Sequence, residues 1–348
     1  MKSLLFGSFL ALATASTALA QDPRLTVIHG ISGLPAPVEV FANGGRLFSF
    51  DFGQSRGPLV LSPATYAIEV KLNGQTVLSA NPSLAAGKDY TAIAHFRPVT
   101  GITLSLYEND IGDLPRGQAR LSVRHTAQAP AVDVGLDQNG QRVATLQGLA
   151  NPGEAKSDIA NGAYRATIFP AGSGSAVFGP ADLVLQSRVH TIVYAIGSLA
   201  GGTFRLFVQS IDLNPVSFAA EGVACGASRI ASSVSNPELG ETFEFVLDGA
   251  RPNVPGMLLV GVSSTRLGGL VLPLDLGYLG ATGCTLYTSG EVMLPLTTDG
   301  AGRATYRAAA PGFLAGTRGS AYAQFIHMAQ GANPFGMQLS NGLAIRFR

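Results

Sequence analysis

The sequence predicts an all-β protein made of antiparallel sandwiches. Three observations carry that prediction. Glycine (43) and proline (20) together make about 18% of the 348 residues, against ~12% in an average protein, and the segments between them are short and β-branched. Apolar residues alternate: in "YAIEVKL", Tyr66, Ile68, Val70 and Leu72 take one side and Ala67, Glu69 and Lys71 the other, the period of a half-buried strand. Asn-Gly pairs at 43–44, 73–74, 139–140 and 161–162 supply the positive-φ residues that two-residue hairpins require. Short strands with turns between them, and no helical period, assemble into sandwiches.

The first element is a leader. "MKSLLFGSFLALATASTALA", residues 1–20, reads as a secretory signal peptide: Lys2 is the basic start, Leu4 to Leu12 the apolar run, and Ala18-Leu19-Ala20 a small-x-small cleavage site before Gln21. The run falls short of the ~20 apolar residues of a membrane span. No second long apolar run occurs, and no cysteine follows the cleavage site to take a lipid. The expectation is an exported protein, secreted, periplasmic or cell-surface, with no membrane span. Without Lys2, 22 basic residues face 22 acidic ones, and charged residues are 13% of the chain against ~25% on average. Electrostatic capture of nucleic acid or anionic lipid needs a basic surplus, so neither is an expected partner.

After the leader comes a unit that occurs twice. "RLTVIHGISGLPAPVEV" (Arg24 to Val40) returns as "RLSVRHTAQAPAVDV" (Arg120 to Val134), each with a histidine five residues after the arginine (His29, His125) and a carboxylate between valines (Glu39, Asp133). "SPATYAIEV" answers "ANGAYRATI", aligning Tyr66 with Tyr164, and "KDYTAIAHF" answers "RVHTIVYAI", which puts His190 where the first copy has Tyr90. The offset is 96 at the histidines, 94 at the carboxylates, 98 at the tyrosines and 100 at Lys88 and Arg188, as small loop insertions produce between two copies of one fold. Each copy is long enough to enclose its own core, so they read as two domains, 24–112 and 118–213, rather than solenoid turns. The linker between them is "IGDLPRGQ", Ile111 to Gln118.

The echo stops after Asp212. "ETFEFVLDG", "MLLVGVS", "EVMLPLTTDGAGRATYRAA" and "NGLAIRFR" read as strands of a third domain, 221–348, with "TTDGAGRAT" as a hairpin tip. This region holds both cysteines, Cys225 and Cys284. Export would place them in an oxidising compartment, so one disulfide is the simplest reading, closing a loop of about 60 residues. A metal site is the competing use, for which two sulfurs without a CxxC partner are a poor zinc set.

The repeated unit resembles the DUF4397 family of exported bacterial domains. The resemblance rests on "VIHG" and "VRHT", "PAPVEV" and "PAVDV", "ATY" and "GAY", and "GKDYTAIA" and "SRVHTIVYA". Copy one departs from the pattern at Glu39 and Ala64, copy two at His190. The resemblance implies a secreted, Ig-like β module with no assigned activity. The tail ("GCTLY", "LPLTTDGAGRA", "GANPFGMQLSNGLAI") resembles a C-terminal β domain of exported planctomycete-type proteins. The full expectation is therefore tandem Ig-like antiparallel β-sandwiches plus a third C-terminal β-sandwich domain.

His29 and His125 end an apolar strand just before a turn, where a ring ties the strand end to a loop, with Glu39 or Asp133 as a partner across the hairpin. As metal sites they are short of the three or four protein ligands zinc takes. His95, His190 and His327 show no ligand spacing. "GQSRG" (Gly53 to Gly57) satisfies G-x-S-x-G but leads into a strand-like run instead of a helix, and the second copy has no serine there. "AGSGSAVFGPAD" (Ala171 to Asp182) lacks G-K-[ST] and reads as a polar hairpin loop. Asp51, Asp137, Asp275 and Asp299 read as turn residues, not as a calcium loop. Tyr107, Tyr278 and Tyr287 are the candidate sugar platforms in a chain without tryptophan. The expectation is a non-catalytic adhesion or scaffold component with no cofactor, acting on an extracellular protein or glycan. A carbohydrate-binding accessory module is the alternative, and a secreted hydrolase stands behind it.

Overall fold

The computed structural model describes residues 22–99, 101–310, 312 and 319–348; the leader assigned from the sequence lies outside them. The chain is all-β and divides into two compact units, one ending at Leu213 and one spanning Asn214–Arg348.

The first repeat contributes β1 (Arg24–His29), β2 (Val38–Ala42), β3 (Gly45–Phe50), β4 (Ser55–Val60), β5 (Ala64–Thr65), β6 (Ile68–Leu72), β7 (Gln75–Ala80), β8 (Ser83–Leu84), β9 (Asp89–Phe96) and β10 (Ile102–Asn109). The second contributes β11 (Gln118–His125), β12 (Val132–Gln138), β13 (Gln141–Leu149), β14 (Glu154–Ala160), β15 (Gly162–Pro170), β16 (Phe178–Leu185), β17 (Val189–Ile196) and β18 (Arg205–Asp212). Sheet orders β10-β9-β1-β4 and β3-β2-β6-β7 in the first recur as β18-β17-β11-β14 and β13-β12-β15-β16 in the second. Three of the predicted hairpin turns form, β2–β3, β6–β7 and β12–β13, with Asn43, Asn73 and Asn139 at φ of 50°, 51° and 52°. The fourth does not. Asn161-Gly162 joins β14 to β15, which belong to different sheets, so the pair turns the chain between layers instead of closing a hairpin.

Each repeat also contains one parallel pair, β1 with β9 and β11 with β17, within otherwise antiparallel sheets. A parallel neighbour needs a long crossover, and here an entire second sheet supplies it. The registers correct the sequence alignment. Arg24 lies opposite Asp89 and Arg120 opposite His190, so His190 takes the place of Asp89, while Tyr90 corresponds to Thr191 and Ile93 to Tyr194. A one-residue slip exchanges the faces of a strand, and burial agrees with the new register: Tyr90 and Ala92 fill the first sandwich and Val193 the second.

The two repeats form one unit because a third apolar layer lies between them. Ile28 of β1 and Ile93 of β9 pack with Ile192, Tyr194 and Ile196 of β17, all five fully buried and each worth ~1.5–3 kcal/mol of apolar burial. These central strands are thus covered on both faces. The segment expected as a linker is anchored as well: Leu114 is buried and its carbonyl accepts from Arg188 Nε at 2.9 Å.

In the second unit the strands are β19 (Val216–Glu221), β20 (Arg229–Ser232), β21 (Thr242–Asp248), β22 (Pro255–Gly261), β23 (Arg266–Leu267), β24 (Leu270–Val271), β25 (Leu274–Asp275), β26 (Thr285–Leu286), β27 (Val292–Thr297), β28 (Ala304–Ala309), β29 (Gly319–Met328), β30 (Met337–Leu339) and β31 (Gly342–Phe347). Sheet β19-β31-β29-β22-β27, with β30 on β29, faces sheet β20-β21-β28 over Phe243, Phe245, Leu258, Phe325 and Leu343. The unit starts at Asn214, ahead of the boundary expected at 221, because β19 pairs with the last strand. The predicted hairpin tip "TTDGAGRAT" is also corrected. It is a tight turn in which the Asp299 carboxylate accepts from the amides of Ala301 and Arg303, but it carries the chain from β27 in one sheet to β28 in the other. Cys225 and Cys284 are disulfide-bonded.

Candidate functional site

His29 and His125 end β1 and β11, whereas Glu39 on β2, Asp133 on β12 and Tyr164 on β15 belong to the other sheet of each repeat and Tyr66 precedes β6. His29 accepts the Ile31 amide at Nδ1 (3.3 Å), which leaves its hydrogen on Nε2, and its ring stands 5.4 Å from Phe50. His125 donates from Nε2 to the Pro130 carbonyl at 2.8 Å, the strand-end-to-loop tie expected of it. The carboxylate partnership is corrected. Glu39 bonds Arg46 Nε at 2.6 Å, and Asp133 accepts the amides of Gly148 (2.7 Å) and Gly172 (2.9 Å). The shorter aspartate caps one amide near the end of β13 and one loop amide, whereas the longer glutamate reaches an arginine across its hairpin. Tyr66 and Tyr164 are used alike, each hydroxyl donating to the carbonyl four residues upstream, Ser62 and Ala160.

Burial governs the electrostatics. It holds His29 and His190 down to about 4, against weaker help from Asp51 for His29, while Arg124 and Arg120 depress His190 further. His95, His125 and His327 are lowered as well, again by burial first. His95 bonds the Phe96 carbonyl and Ser105 Oγ, His190 bonds Ser122 Oγ, and His327 the Met328 carbonyl. Among the described residues no group of three or more His, Cys, Asp or Glu is placed to hold a metal.

The other candidates disperse. Ser55 of "GQSRG" opens β4 opposite Ile28, in a strand rather than at a strand-to-helix elbow. The loop read over Ala171 to Asp182 is shorter: residues 171–177 join β15 to β16, and Phe178 to Asp182 belong to β16. Tyr107 donates to Pro152 O at 2.7 Å under the Arg124 guanidinium, Tyr287 bonds Val223, and Tyr278 alone of the three is exposed.

What sequence reasoning missed is a buried polar seam between the repeats. Arg124, on the face equivalent to Ile28, is fully buried. It donates to Glu154 Oε1 (2.8 Å), Asn109 Oδ1 (2.8 Å) and the Tyr194 hydroxyl (2.6 Å), with its guanidinium 4.4 Å from the Tyr107 ring. Tyr194 and Thr91 both donate to Gln209 Oε1, and Asn109 Nδ2 donates to Asp89 and Thr91. The visible signal was one letter: "VIH" in the first copy is "VRH" in the second. A charge inside a wholly buried strand needs such partners.

Among the described residues no helix is long and apolar enough to cross a membrane. No curated protein matches the chain. Among solved structures, a DUF3823 family protein from Parabacteroides merdae is 14% identical, with 67% of this chain and 100% of that one covered at a TM-score of 0.19. A DUF3823 family protein from Bacteroides ovatus is 12% identical over 66% and 98%, also at 0.19. The Bacillus anthracis TIE protein is 12% identical over 88% of this chain and 45% of that chain, at 0.19. One family is matched in sequence: residues 23–135, all of the first repeat and the opening of the second, match the domain of unknown function DUF4397.

Proposed function

We propose that this is a non-catalytic secreted or cell-envelope protein, an adhesion or scaffold component that presents loops from rigid β-sandwiches to an extracellular protein or glycan. In this reading both repeats are DUF4397-type, Ig-like modules, and the second unit is a C-terminal β domain of the planctomycete type. The observation that carries it is where the reactive side chains go. All five histidines are at most 2% exposed, and their bonds run to neighbouring backbone and hydroxyl groups of the sandwiches that hold them. The equal strand orders of the repeats and the seam that joins them support a rigid double module. Loops on a rigid scaffold are where binding residues concentrate.

The test uses the mature protein, fluorescently labelled, on isolated envelope of its source cells. Saturable binding is expected, and a folded His125→Asn variant should bind as well as wild type. Turnover of chromogenic ester, glycoside or peptide substrates that this variant loses, with no envelope binding, would overturn the proposal.

A further inference from the structure

The two repeats share strand order but differ inside. The first sandwich holds a cavity of about 220 Å³ between its sheets, whereas in the second a pocket of about 20 Å³ lies at the His125 end, beside Ile168, Phe178 and Phe204. A cavity of ~150 Å³ walled by aliphatic and aromatic carbon stays dry and admits a benzene-sized guest. Three register-paired positions leave room in the first sandwich, although at two others, Phe48 for Leu146 and Phe50 for Leu149, it carries the larger side chain. Ala92, beside Val27 on β1, corresponds to Val193, beside Val123. Val70, opposite Val40, corresponds to Ile168, opposite Val134. Leu78, opposite Val70, corresponds to Phe178, which stacks edge-on against Phe204 at 5.5 Å. At these three positions the second sandwich carries the larger side chain and the first leaves the space.

The cavity runs along β1 from Leu25 to His29, a length of ~13 Å. On the side where the edge strands β3 and β4 lie, it is lined by Leu47 and Leu59, and Leu47 is 47% exposed, which provides a way in. The polar groups beside it are mostly committed: Tyr66 donates to Ser62 O, and Asn43 Oδ1 accepts from the Ala67 amide. His29 differs. Its one hydrogen bond among the described residues is at Nδ1, so the Nε2 hydrogen that His125 gives to Pro130 is unused in the first repeat, on a residue that lines the cavity.

We propose that the first sandwich binds a small, elongated, mainly aliphatic molecule carrying one hydrogen-bond acceptor, a medium-chain alcohol or carbonyl compound. Its chain lies between the sheets and its oxygen accepts from His29 Nε2. The site adds a ligand to the adhesion reading and does not depend on it.

The probe is 1-octanol, titrated into the mature full-length protein and followed by the methyl resonances of Val27, Val40 and Leu84. Saturable shifts are expected there, with those of Val134 and Val193 unmoved. Ala92→Val and Val70→Ile each place in the first sandwich the residue that the second already accommodates, so each should fold. Either should weaken binding roughly tenfold or more, and a folded His29→Leu roughly tenfold. Wild type without saturable shifts, shifts confined to the second sandwich, or both filled variants binding as tightly as wild type would overturn the site. A folded His29→Leu that binds as tightly would overturn the part given to His29.

Discussion

Arg124 and Tyr194 stand side by side in the parallel register of β11 and β17 and are hydrogen-bonded at 2.6 Å on the face where the two repeats meet. That bond belongs to a network running through Asn109 and Gln209 to Asp89 and Thr91, so residues of both repeats bond one buried cation through its Nε and Nη1, while its buried Nη2 has no hydrogen-bond partner. Removing one partner of a buried charge pair costs about 3–5 kcal/mol, whereas replacing both by apolar groups is often neutral or better. Arg124→Met should therefore lower the urea midpoint of the first unit sharply, and Arg124→Met with Glu154→Leu should recover much of the loss. A double variant as unstable as the single one would show that the guanidinium's other contacts, to Asn109 and Tyr194, dominate.

Acid should destabilise the first unit well above the ordinary carboxylate range. His29 and His190 are held at about 4 when folded, against the ordinary imidazole value of 6.5. Between those values the unfolded chain binds more protons, so stability rises with pH and is lost as pH falls from about 6.5 towards 4. Melting temperatures measured from pH 7 to pH 4 should fall steadily through that window, and folded variants with His29→Leu or His190→Leu should flatten the slope. A flat profile down to pH 4 in the wild type would contradict the burial assigned to both rings.

Several elements were legible for physical reasons and others were not. Tyr66, Ile68, Val70 and Leu72 were readable because β6 has one wet face, so alternation survives in the letters. On β9 and β17 both faces are covered, "TAIAHF" and "TIVYAI" become nearly continuous apolar runs, and the register vanishes from the sequence. That is how His190 came to be aligned with Tyr90 in place of Asp89. Asn-Gly states a local φ preference and not which sheets it joins, so Asn43 closes a hairpin while Asn161 turns between layers. Arg124 was overlooked because its partners come from three other strands, and the cavity because the side chains around it come from two facing sheets and no single strand's letters show the space between them.

The disulfide makes its own prediction. Cys225 and Cys284 are 59 residues apart, and in the chain-entropy model closing such a loop contributes ~4 kcal/mol. Non-reducing peptide mapping should recover the linked pair, and reduction should lower the melting temperature of the C-terminal unit by many degrees. Free thiols in protein taken from the exported fraction would refute the pairing.

Gly197 and Gly33 share a left-handed backbone, at φ of 81° and 80°, but not surroundings. A Cβ at Gly197 would sit 2.4 Å from the Thr203 carbonyl and 3.1 Å from Phe52, whereas at Gly33 nothing lies within 4 Å. Gly33→Ala should thus cost only the backbone preference, ~1 kcal/mol, and Gly197→Ala clearly more. Equal losses in denaturant titrations would mean that the contact of Gly197 with Thr203 and Phe52 is looser than described.

Asp133 offers the sharpest local test, because its two bonds end on amides that can be followed singly. Its carboxylate accepts from Gly148 and Gly172, and those two amides hold its pKa below the usual carboxylate range. Gly148 lies near the end of β13 and Gly172 in the 171–177 loop, so one side chain ties a strand end to a loop. Asp133→Ala removes both acceptors, and exchange of the two amides with solvent should quicken by roughly tenfold, the equivalent of one modest hydrogen bond. Asp133→Glu copies the first repeat, where Glu39 reaches Arg46, and should protect them poorly. The amide of Ile168, held in the β12–β15–β16 ladder, is the internal control and should not change. If Gly148 and Gly172 exchange at wild-type rates in Asp133→Ala, the strand end and the loop are ordered by their own backbone bonds and the aspartate is not what holds them.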